Sequence, residues 1–553
     1  MLKRNLFYLL MVVILIGGTI LAGCAKTTPV TTTAPATTTA PVPTTTSKPT
    51  TTSPTTTAPA TTTAPAPTTT PASGVQTGGI LTIISPNSPS SFGYPIQFSG
   101  FAPYFAVPPC LESLIDSDIK GNLRGELATS WDTAADGSSI TFHLRQGVKF
   151  HDGTDFNADA AKWNLDLYLK RGTGAPALWK SVDKVDNNTI RINLKSYDNT
   201  QLTQSYFFIS PTAVQQNGID WAITHPVGTG PFKFKSFVRD TSLEYERFDG
   251  YWGDKARVDG IKFLYIVDPT TAGMAFKGGD AQVWESADAK TAFDLKTKLG
   301  FKEETRRGPL MNLIPDSAHA SSPFSNQKVR EALEYAINRP EIVNTLGYGT
   351  WEAVNQPCAP EQFGHVDNLA GRPYNVAKAR QLLIEAGYPE GFSTTIITSS
   401  AFPQDPLVAI QSYLATLSIR VTIDVQSPSK WAATRLAGWN NGLFYVTHGA
   451  TDFNYCAYLE RYYLPTNLAS YPVLAYPQDW VALVIKMGAS TDPAVYKPIA
   501  QQLVKMHVDN AMVVPLWIQS EVYVQYPWIN EMGVGTHGDG FSWDYNKVWI
   551  GKH

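Results

Sequence analysis

Short runs of alternating apolar and polar residues along this chain are typical of strands. The β-rich run of residues 80–84 follows a glycine pair, and we expect the first strand there. Further along, Ile140, Phe142 and Leu144 alternate with polar side chains. This period of two predicts a strand with one buried face.

Other segments repeat their apolar residues at the helical spacing of three and four positions. Each follows a residue whose side chain can cap a helix, and the predicted caps are Asn157, Ser325, Asn338 and Asn375. The apolar stripes are Ala160, Trp163 and Leu167; Val329, Leu333, Ala336 and Ile337; and Ala379, Leu382, Leu383 and Ala386. Because strands and helices mix without a fixed repeat, the pattern favours an α/β or α+β body over a solenoid or propeller.

The N-terminus has the order of a secretion signal. Lys3 and Arg4 precede a long apolar run that ends in Leu-Ala-Gly before Cys24. This tripeptide and cysteine resemble the bacterial lipobox, which implies that residues 1–23 are removed and that the Cys24 thiol is diacylated. The alternative is an uncleaved membrane anchor, because the apolar run approaches the length of about 20 residues that a spanning helix needs. Both readings place the rest of the chain outside the cytoplasm.

A stalk rich in threonine and proline follows. Residues 27–72 contain 23 threonines and 10 prolines among 46 positions, and Lys48 is their only charged residue. Such a segment cannot bury enough apolar area to fold, and its prolines favour an extended chain. We therefore predict that residues 24–77 form a lipidated linker that holds a globular body away from a membrane.

Composition and charge limit the architecture of the chain and the classes of molecule that it is expected to bind. The 553 residues exceed what one hydrophobic core supports, so two or more lobes are expected. The chain is 43% hydrophobic and 16% charged, as in a well-packed globular protein. Its formal net charge of -3 provides no attraction to phosphate backbones, so nucleic acid is not an expected partner.

Three cysteines remain after Cys24, so at most one internal disulfide is possible. Cys358 and Cys456 are the preferred pair, because both fall in the predicted second lobe. The alternative is that these two residues and Cys110 are buried thiols that pack as small apolar groups.

Motifs for catalysis are absent from the sequence. It contains no Gly-x-Ser-x-Gly, His-Glu-x-x-His or Cys-x-x-Cys pattern, and its nine histidines are scattered singly. Residues 228–231, Gly-Thr-Gly-Pro, look superficially like a phosphate loop, but Pro231 lacks an N–H donor and a strand is expected after it. A pair of carboxylates could still act on a glycoside, so a secreted hydrolase on a stalk is the competing class.

Several longer motifs, each with a different sequence, occur from residue 127 onward. They include Phe-His-Leu-Arg-Gln-Gly-Val-Lys-Phe-His-Asp-Gly at 142–153 and Pro-Val-Gly-Thr-Gly-Pro-Phe at 226–232. The others lie at residues 127–131, 136–137, 248–252, 329–333, 335–337, 377–379, 382–383 and 386–388. Together they closely resemble the signature of the family 5 extracellular solute-binding proteins, which bind oligopeptides, dipeptides and nickel. The resemblance covers the chain from about residue 78 to its end.

The resemblance implies a two-lobed α/β fold like that of periplasmic binding proteins of type II, cluster C, with an extra subdomain in lobe one. It implies lobe one at residues 78–305, lobe two at 306–510 and a return to lobe one at 511–553.

The same resemblance implies a function. The chain would be the substrate-binding subunit of an ABC transporter, a monomer without cofactor or bound metal that closes over its solute and presents it to a membrane permease. A sensory receptor without a permease is the alternative. The segments at 91–95 and 109–112 depart from the family pattern, so peptides, nickel chelates, opines and oligosaccharides all stay open as ligands.

In peptide-binding members of the family, an aspartate in an Ala-Asp-Tyr-like segment pairs with the α-amino group of the ligand. Residues 451–453, Thr-Asp-Phe, resemble that segment, which implies that Asp452 is the anchor. Trp431 and Tyr455 are further candidates for the walls of the cleft. The alternative for Asp452 is that it caps a turn.

Overall fold

A computed structural model describes residues 74–448, 454–465 and 470–552, without the side chains of Cys456 and Ala457. Cys24, the stalk and Asp452 lie outside these residues. The strands are β1 Ile80–Ser85, β2 Ile115–Ser117, β3 Leu123–Gly125, β4 Ala128–Thr133, β5 Ser139–Leu144, β6 Trp179–Asp186, β7 Thr189–Leu194, β8 Phe232–Val238, β9 Ser242–Arg247, β10 Gly260–Tyr265, β11 Val283–Glu285, β12 Lys302–Arg306, β13 Leu310–Pro315, β14 Trp351–Ala353, β15 Ser393–Ser399, β16 Arg420–Gln426, β17 Gly442–His448, β18 Val514–Gln519, β19 Glu521–Gln525, β20 Ile529–Asn530 and β21 Trp549–Ile550.

The α-helices are Ala102–Ala106, Ala158–Arg171, Pro211–Asn217, Ile219–Ala222, Pro269–Gly278, Ala289–Leu299, Gln327–Ala336, Arg339–Leu346, Val376–Glu385, Asp405–Ala415, Pro428–Ala437, Tyr455–Tyr463, Gln478–Gly488 and Pro493–Asp509. Short 3₁₀ helices lie at Pro95–Gln97, Ala175–Leu178, Asn199–Leu202 and Pro323–Ser325.

Two large sheets define two lobes. Lobe one contains a seven-stranded sheet in the order β12-β19-β11-β1-β10-β9-β8, in which β1 runs parallel to both β10 and β11. Lobe two contains a six-stranded sheet in the order β14-β18-β13-β17-β15-β16. There β15 is parallel to β16 and β17, and β13 is antiparallel to β17 and β18. The mixed α/β architecture predicted from the sequence is confirmed.

A separate four-stranded antiparallel sheet, β4-β5-β7-β6, belongs to the first part of the chain. Its apolar side chains and those of the helix Ala158–Arg171 form their own core. This is the extra subdomain of lobe one. In β5 the residues alternate between half-buried and buried, as the period of two in the sequence predicts.

The chain crosses between the large sheets twice. The first crossing lies between β12 and β13, at residues 307–309, and the second lies at Ser520, between β18 and β19. The division of the chain at residues 306 and 511 stays a prediction, and β18, which follows residue 511, pairs within the sheet of lobe two.

The sheet of lobe two is covered on both faces. Along β17, Leu443 and Tyr445 join one apolar cluster, whereas Phe444 and Val446 join another. Because successive side chains of a strand point to opposite faces, these clusters lie on either side of the sheet. Packing on both faces constrains the position of β17 up to its last residue, His448. The segment that contains Asp452 follows directly after it in the sequence.

Most of the predicted helix starts are confirmed. The side chains of Asn157, Asn338 and Asn375 each accept a hydrogen bond from a main-chain N–H in the first turn of their helix. The predicted cap at Ser325 is wrong, since Asn326 caps the helix Gln327–Ala336 and Ser325 ends a 3₁₀ turn. Both residues are good caps, and the preceding turn decides which of them lies at the helix start.

Candidate ligand-binding cleft

The predicted ligand segment joins two buried residues. Strand β17 ends at His448, and the next helix begins at Tyr455. Residues 449–453, and Asp452 with them, lie outside the described residues. The flanking His448 is 1% exposed and Asn454 is 2% exposed. His448 and Asn454, the described residues on either side of residues 449–453, are therefore both buried.

At one end, hydrogen bonds define the state of the His448 ring. The Nδ2 group of Asn312 lies 2.9 Å from Nδ1 of His448, and because an amide nitrogen only donates, Nδ1 accepts. The Nε2 atom therefore carries the proton and donates to Oη of Tyr471 at 2.5 Å. The hydroxyl of Tyr458 lies 3.0 Å from Nδ1 and 3.1 Å from the hydroxyl of Tyr463. These contacts all lie within lobe two.

The His448 imidazole is uncharged. Burial lowers its pKa well below the usual value, and the positive charge of Arg435 and the proximity of His507 act in the same direction. Four tyrosine rings surround it with ring centres 4.8 to 5.7 Å away. The His448 side chain is thus held by a neutral polar network inside an aromatic shell.

At the other end, Asn454 reaches across to lobe one. Its Nδ2 group donates to the main-chain oxygen and to Oδ1 of Asn199, both at 3.2 Å, and lies 3.4 Å from Oγ1 of Thr203. Asn199 begins the 3₁₀ helix Asn199–Leu202, next to the four-stranded sheet of lobe one. His448 therefore lies within lobe two, whereas Asn454 lies at a contact between the lobes.

Trp431 lies in the helix Pro428–Ala437, which packs on lobe two. Its ring stacks on that of Phe444 with centres 4.9 Å apart, and it meets the edge of Phe402 at 5.6 Å. Its Nε1 donates to the main-chain oxygen of Tyr445 at 3.3 Å. The ring is half-buried, so one part of it remains open to solvent. Its predicted role as a cleft wall stays a prediction.

Tyr455 is fully buried, with its ring stacked on that of Tyr458 at 5.3 Å. A Cβ added at Gly364 would lie 2.7 Å from the Tyr455 ring, so a glycine is needed to make room for it. Burial raises the pKa of the Tyr455 hydroxyl well above its usual value. Tyr455 thus packs at the start of the helix Tyr455–Tyr463, and its contact with a ligand stays a prediction.

Lobe one presents aromatic residues that the sequence analysis did not single out. Phe101 is 69% exposed, and the ring centres of Phe101, Tyr104 and Phe105 lie 6.4, 5.5 and 5.1 Å from that of Phe541. The guanidinium of Arg306, at the end of β12, lies 4.4 Å above the Phe105 ring. This group therefore lies beside the first crossing between the lobes. The run Phe-Ala-Pro-Tyr-Phe at residues 101–105 could have indicated an aromatic cluster from the sequence, but its partner Phe541 lies far away along the chain.

The preferred disulfide is not formed. Cys358 is a free, buried thiol, which contradicts its pairing with Cys456. Its Sγ donates to the neighbouring main-chain oxygen of Ala359 at 3.8 Å, and burial raises the pKa of the thiol well above its usual value. Cys110 is likewise a free buried thiol, and burial raises its pKa to about 12. These two cysteines pack as small apolar groups.

The Gly-Thr-Gly-Pro segment has a packing role. Gly230 donates its N–H to the main-chain oxygen of Cys110 at 3.0 Å, and Gly228 donates to Nδ1 of His151 at 3.3 Å. A Cβ at Gly230 would lie 2.7 Å from the main-chain oxygen of Pro109, so the backbones approach too closely for a side chain. Because these N–H groups bond within the protein, they are not arranged to hold a phosphate.

Within residues 74–448, 454–465 and 470–552, no three His, Cys, Asp or Glu side chains are grouped to hold a metal ion. None of the helices in those ranges has the length and apolar character that crossing a membrane requires.

Curated relatives match part of the chain. It is 32% identical over 338 residues to the glutathione-binding protein GsiB of Shigella flexneri, covering 58% of this chain and 65% of that protein. It is 34% identical over 339 residues to GsiB of Pectobacterium atrosepticum, covering 58% of this chain and 63% of that protein. The alignment thus spans slightly less than two thirds of the length of these relatives.

Solved structures share the fold over nearly their whole length. The periplasmic binding protein DppA from Helicobacter pylori, in complex with the peptide STSA, has a TM-score of 0.71 at 24% identity and covers 86% of this chain and 99% of its own. NikA from Brucella suis, in complex with Fe(III)-EDTA, has a TM-score of 0.75 at 22% identity, with coverages of 85% and 100%. CtaP from Listeria monocytogenes has a TM-score of 0.77 at 18% identity, with coverages of 86% and 100%.

A family model matches residues 122–470, which include the subdomain of lobe one, the first crossing between the two large sheets and residues 449–453. That model describes the middle part of the bacterial extracellular solute-binding proteins of family 5. Because more than half of the chain is matched, this chain belongs to family 5 of the bacterial extracellular solute-binding proteins.

Proposed function

We propose that this protein is the substrate-binding subunit of an ABC importer, which captures a peptide between its lobes and delivers it to a membrane permease. The observation that carries the proposal is the match of the family 5 model to residues 122–470, and the two large sheets between which the chain crosses twice support it. A ligand held between the lobes would touch both of them when they close, and that difference between open and closed states would drive closure.

A peptide suits the chemistry predicted for Asp452. Its α-ammonium group loses hydration in a closed cleft, and a hydrogen-bonded carboxylate of opposite charge offsets that cost. Asp452 would supply this carboxylate. The half-buried ring of Trp431 and the exposed aromatic residues around Phe101 would offer apolar surface to the side chains of the peptide.

The replacement of Asp452 with Ala tests the proposal. We expect the variant to lose about 2 to 5 kcal/mol of affinity for the dipeptide Met-Leu and for glutathione, because a buried ammonium would be left unpaired. Isothermal titration calorimetry measures the affinity of the wild type and the variant. N-acetyl-Met-Leu should bind the wild type much more weakly than Met-Leu, whereas the variant should distinguish the two little.

Asp367→Ala is the matched control, since the Asp367 side chain is 93% exposed and also lies in lobe two. It should bind like the wild type. Equal binding of free and acetylated dipeptide to the wild type would exclude Asp452 as an amino-group anchor and would favour a ligand that is not a peptide.

Binding without chemical change separates a receptor from a hydrolase. We expect one ligand per protein, recovered with unchanged mass after prolonged incubation. A product of altered mass would favour the enzyme class. Uptake of the same peptide that depends on a permease would separate an importer subunit from a sensory receptor.

The anchor at Cys24 is part of the proposal. Acylation of its thiol would retain the processed protein at the membrane, and the threonine- and proline-rich stalk would hold the lobes away from it. Cys24→Ala should release the protein or block its processing, as measured by membrane fractionation and by the mass of the N-terminal fragment. A variant that stays uncleaved, fully membrane-bound and functional would favour the transmembrane anchor.

A further inference from the structure

One short helix of lobe one carries aromatic residues on the side that turns away from the core. Ala106, at the end of the helix Ala102–Ala106, is buried in the apolar core of lobe one. Phe101, Tyr104 and Phe105 instead follow the spacing of three and four positions that defines one helical face. Phe101 is 69% exposed and Phe105 is half-buried. Helical periodicity therefore leaves these two rings open to solvent.

Phe541, from the last part of the chain, lies against these rings. Its ring is nearly parallel to that of Phe101, with an angle of 26° between the planes and 6.4 Å between the centres. It meets the Phe105 ring edge to face, at 89° and 5.1 Å. We call Phe101, Phe105 and Phe541 the aromatic platform. The parallel and edge-to-face arrangements are those that aromatic pairs prefer, so a further ring can join the platform in the same way.

Charged residues hold the platform in place from the protein interior. The guanidinium of Arg306 lies 4.4 and 5.7 Å from the ring centres of Phe105 and Phe541, and this side chain is 4% exposed. Arg306 also donates to the main-chain oxygen of Gly540. Oδ1 of Asp539 accepts a hydrogen bond from the main-chain N–H of Phe541 at 3.0 Å. The platform is therefore ordered before a ligand arrives, which lowers the entropy cost of binding to it.

The platform lies where lobe one faces lobe two. The ring of Tyr104 has its centre 5.5 Å from that of Phe541. Burial raises the pKa of the Tyr104 hydroxyl, and the positive charges of Arg171 in lobe one and Arg461 in lobe two act against this shift. Arg461 is exposed, and its guanidinium lies 5.4 Å above the half-buried ring of Tyr462. Lobe two thus places a cation and an aromatic ring on the side of the cleft opposite the platform.

We propose that the aromatic platform is a subsite that receives an aromatic side chain of the captured ligand. The inference rests on the proposed function and narrows it, from peptides in general to a preference for peptides with an aromatic residue. An aliphatic side chain on the platform gains only the burial of apolar area. An aromatic ring gains the same burial together with ring contacts to Phe101 and Phe541, and it meets the guanidinium of Arg461 when the lobes close.

The test compares the dipeptides Phe-Ala and Ala-Phe with Leu-Ala and Ala-Leu by calorimetry. We expect the wild type to bind one of the phenylalanine dipeptides about 3- to 10-fold more tightly than its leucine counterpart. Phe101→Leu and Phe541→Leu keep an apolar side chain but remove a ring. Each should reduce this preference and leave the affinity for the leucine dipeptides nearly unchanged. Because Phe101 is exposed, Phe101→Leu should also keep the melting temperature of the wild type.

Tyr374→Leu is the matched control. Tyr374 is 42% exposed, and its ring packs on that of Tyr413 within lobe two, with centres 5.6 Å apart. This variant should keep the full preference for the phenylalanine dipeptide. Equal binding of phenylalanine and leucine dipeptides to the wild type would contradict the inference, as would a preference that survives in both platform variants. Unchanged binding with reduced uptake in Phe101→Leu would assign the platform to contact with the permease and would equally overturn it.

Saturation-transfer NMR with free indole keeps the test independent of peptide binding. The wild type and Tyr374→Leu should transfer magnetisation to indole, and the double variant Phe101→Leu, Phe541→Leu should transfer much less. Equal transfer by the wild type and the double variant would show that the platform does not receive an aromatic ring. A wild type that binds none of the dipeptides would overturn the proposed function, while the indole measurement still decides on the platform.

Discussion

Two glutamates in lobe two, the buried Glu334 and the half-buried Glu460, lie in opposite electrostatic surroundings. Glu334, in the helix Gln327–Ala336, has Oε1 3.1 Å from Nη1 of Arg372 and Oε2 3.6 Å from Nη2 of Arg339. Glu460 instead faces Asp198, a carboxyl group from lobe one. Burial is the main cause that raises both pKa values, to about 7 for Glu334 and about 9 for Glu460. For Glu334 the two arginines act against burial, whereas for Glu460 the negative Asp198 adds to it.

The difference separates a permanent contact from a conditional one. The arginines around Glu334 also bond to main-chain oxygens of lobe two, Arg339 to Pro515 at 2.6 Å and Arg372 to Val508 at 2.7 Å. This cluster holds one lobe together in any arrangement of the two lobes. Glu460 and Asp198 meet only where the lobes touch, and the raised pKa of Glu460 favours its protonated form there. The ion pairs of Glu334 thus lie within one lobe, whereas the carboxyl pair depends on the arrangement of the two lobes.

The largest expected effect is on the permanent contact. Glu334→Gln keeps the shape of the side chain but leaves Arg339 and Arg372 without their shared carboxylate. At pH 8, where that carboxylate is ionised, we expect the free energy of unfolding to fall by about 3 to 5 kcal/mol, because a buried charge would lose its partner. Urea denaturation followed by tryptophan fluorescence measures this change.

Glu385→Gln is the control for that substitution. Glu385 pairs with Lys328 at 2.9 Å, but both side chains are exposed to solvent, so we expect no measurable loss of stability. Equal melting curves for Glu334→Gln and the wild type would show that the Glu334 cluster does not stabilise lobe two.

A smaller effect is expected from pH on the conditional contact. With the lobes apart, Glu460 should return toward the ordinary pKa of a glutamate, so the closed form binds its proton more tightly than the open form. Closure is therefore fully favoured below about pH 4.5 and weakens as pH rises through about 9, the pKa of Glu460 in the closed form. We expect the affinity for Met-Leu to fall between pH 5 and pH 7, by at most about tenfold per pH unit.

The ligand's own amino group cannot cause this fall in affinity. An α-amino group with a pKa of about 7.7 to 8.0 stays charged between pH 5 and pH 7. Charged groups that face the helix of Glu460 from other elements include Asp198, Asp479, Lys486 and Arg435, and Arg461 lies next to Glu460 on its own helix. Glu460→Gln keeps a donor toward Asp198 and carries no titrating proton, so it should flatten the pH profile. A profile in that variant as steep as in the wild type would assign the pH dependence to another group.

Local patterns predicted much of the fold. The caps at Asn157, Asn338 and Asn375 and the alternation in β5 depend on neighbours within a few residues, and the structure confirms them. Ser325 shows the limit of such reasoning, since two adjacent residues were equally able to cap and only the preceding 3₁₀ turn selects Asn326.

Contacts between distant segments could not be predicted from the sequence. Cys358 could be counted as a candidate for a disulfide, but whether a partner thiol lies within bonding distance depends on the packing of lobe two. Asp198 and Glu460 are separated by more than 250 positions, and no local pattern marks either of them.

The sequence by itself determined the family and the α/β class, because the motifs and periodicities that carry them act over short distances along the chain. Only the tertiary structure decided what surrounds His448 and Asn454. His448 meets the side chains of Asn312 and Tyr471 because β17 and its neighbours are buried on both faces, and Asn454 meets Asn199 because the chain crosses twice between two sheets. Such contacts depend on the three-dimensional path of the whole chain, which brings residues together irrespective of their spacing in the sequence.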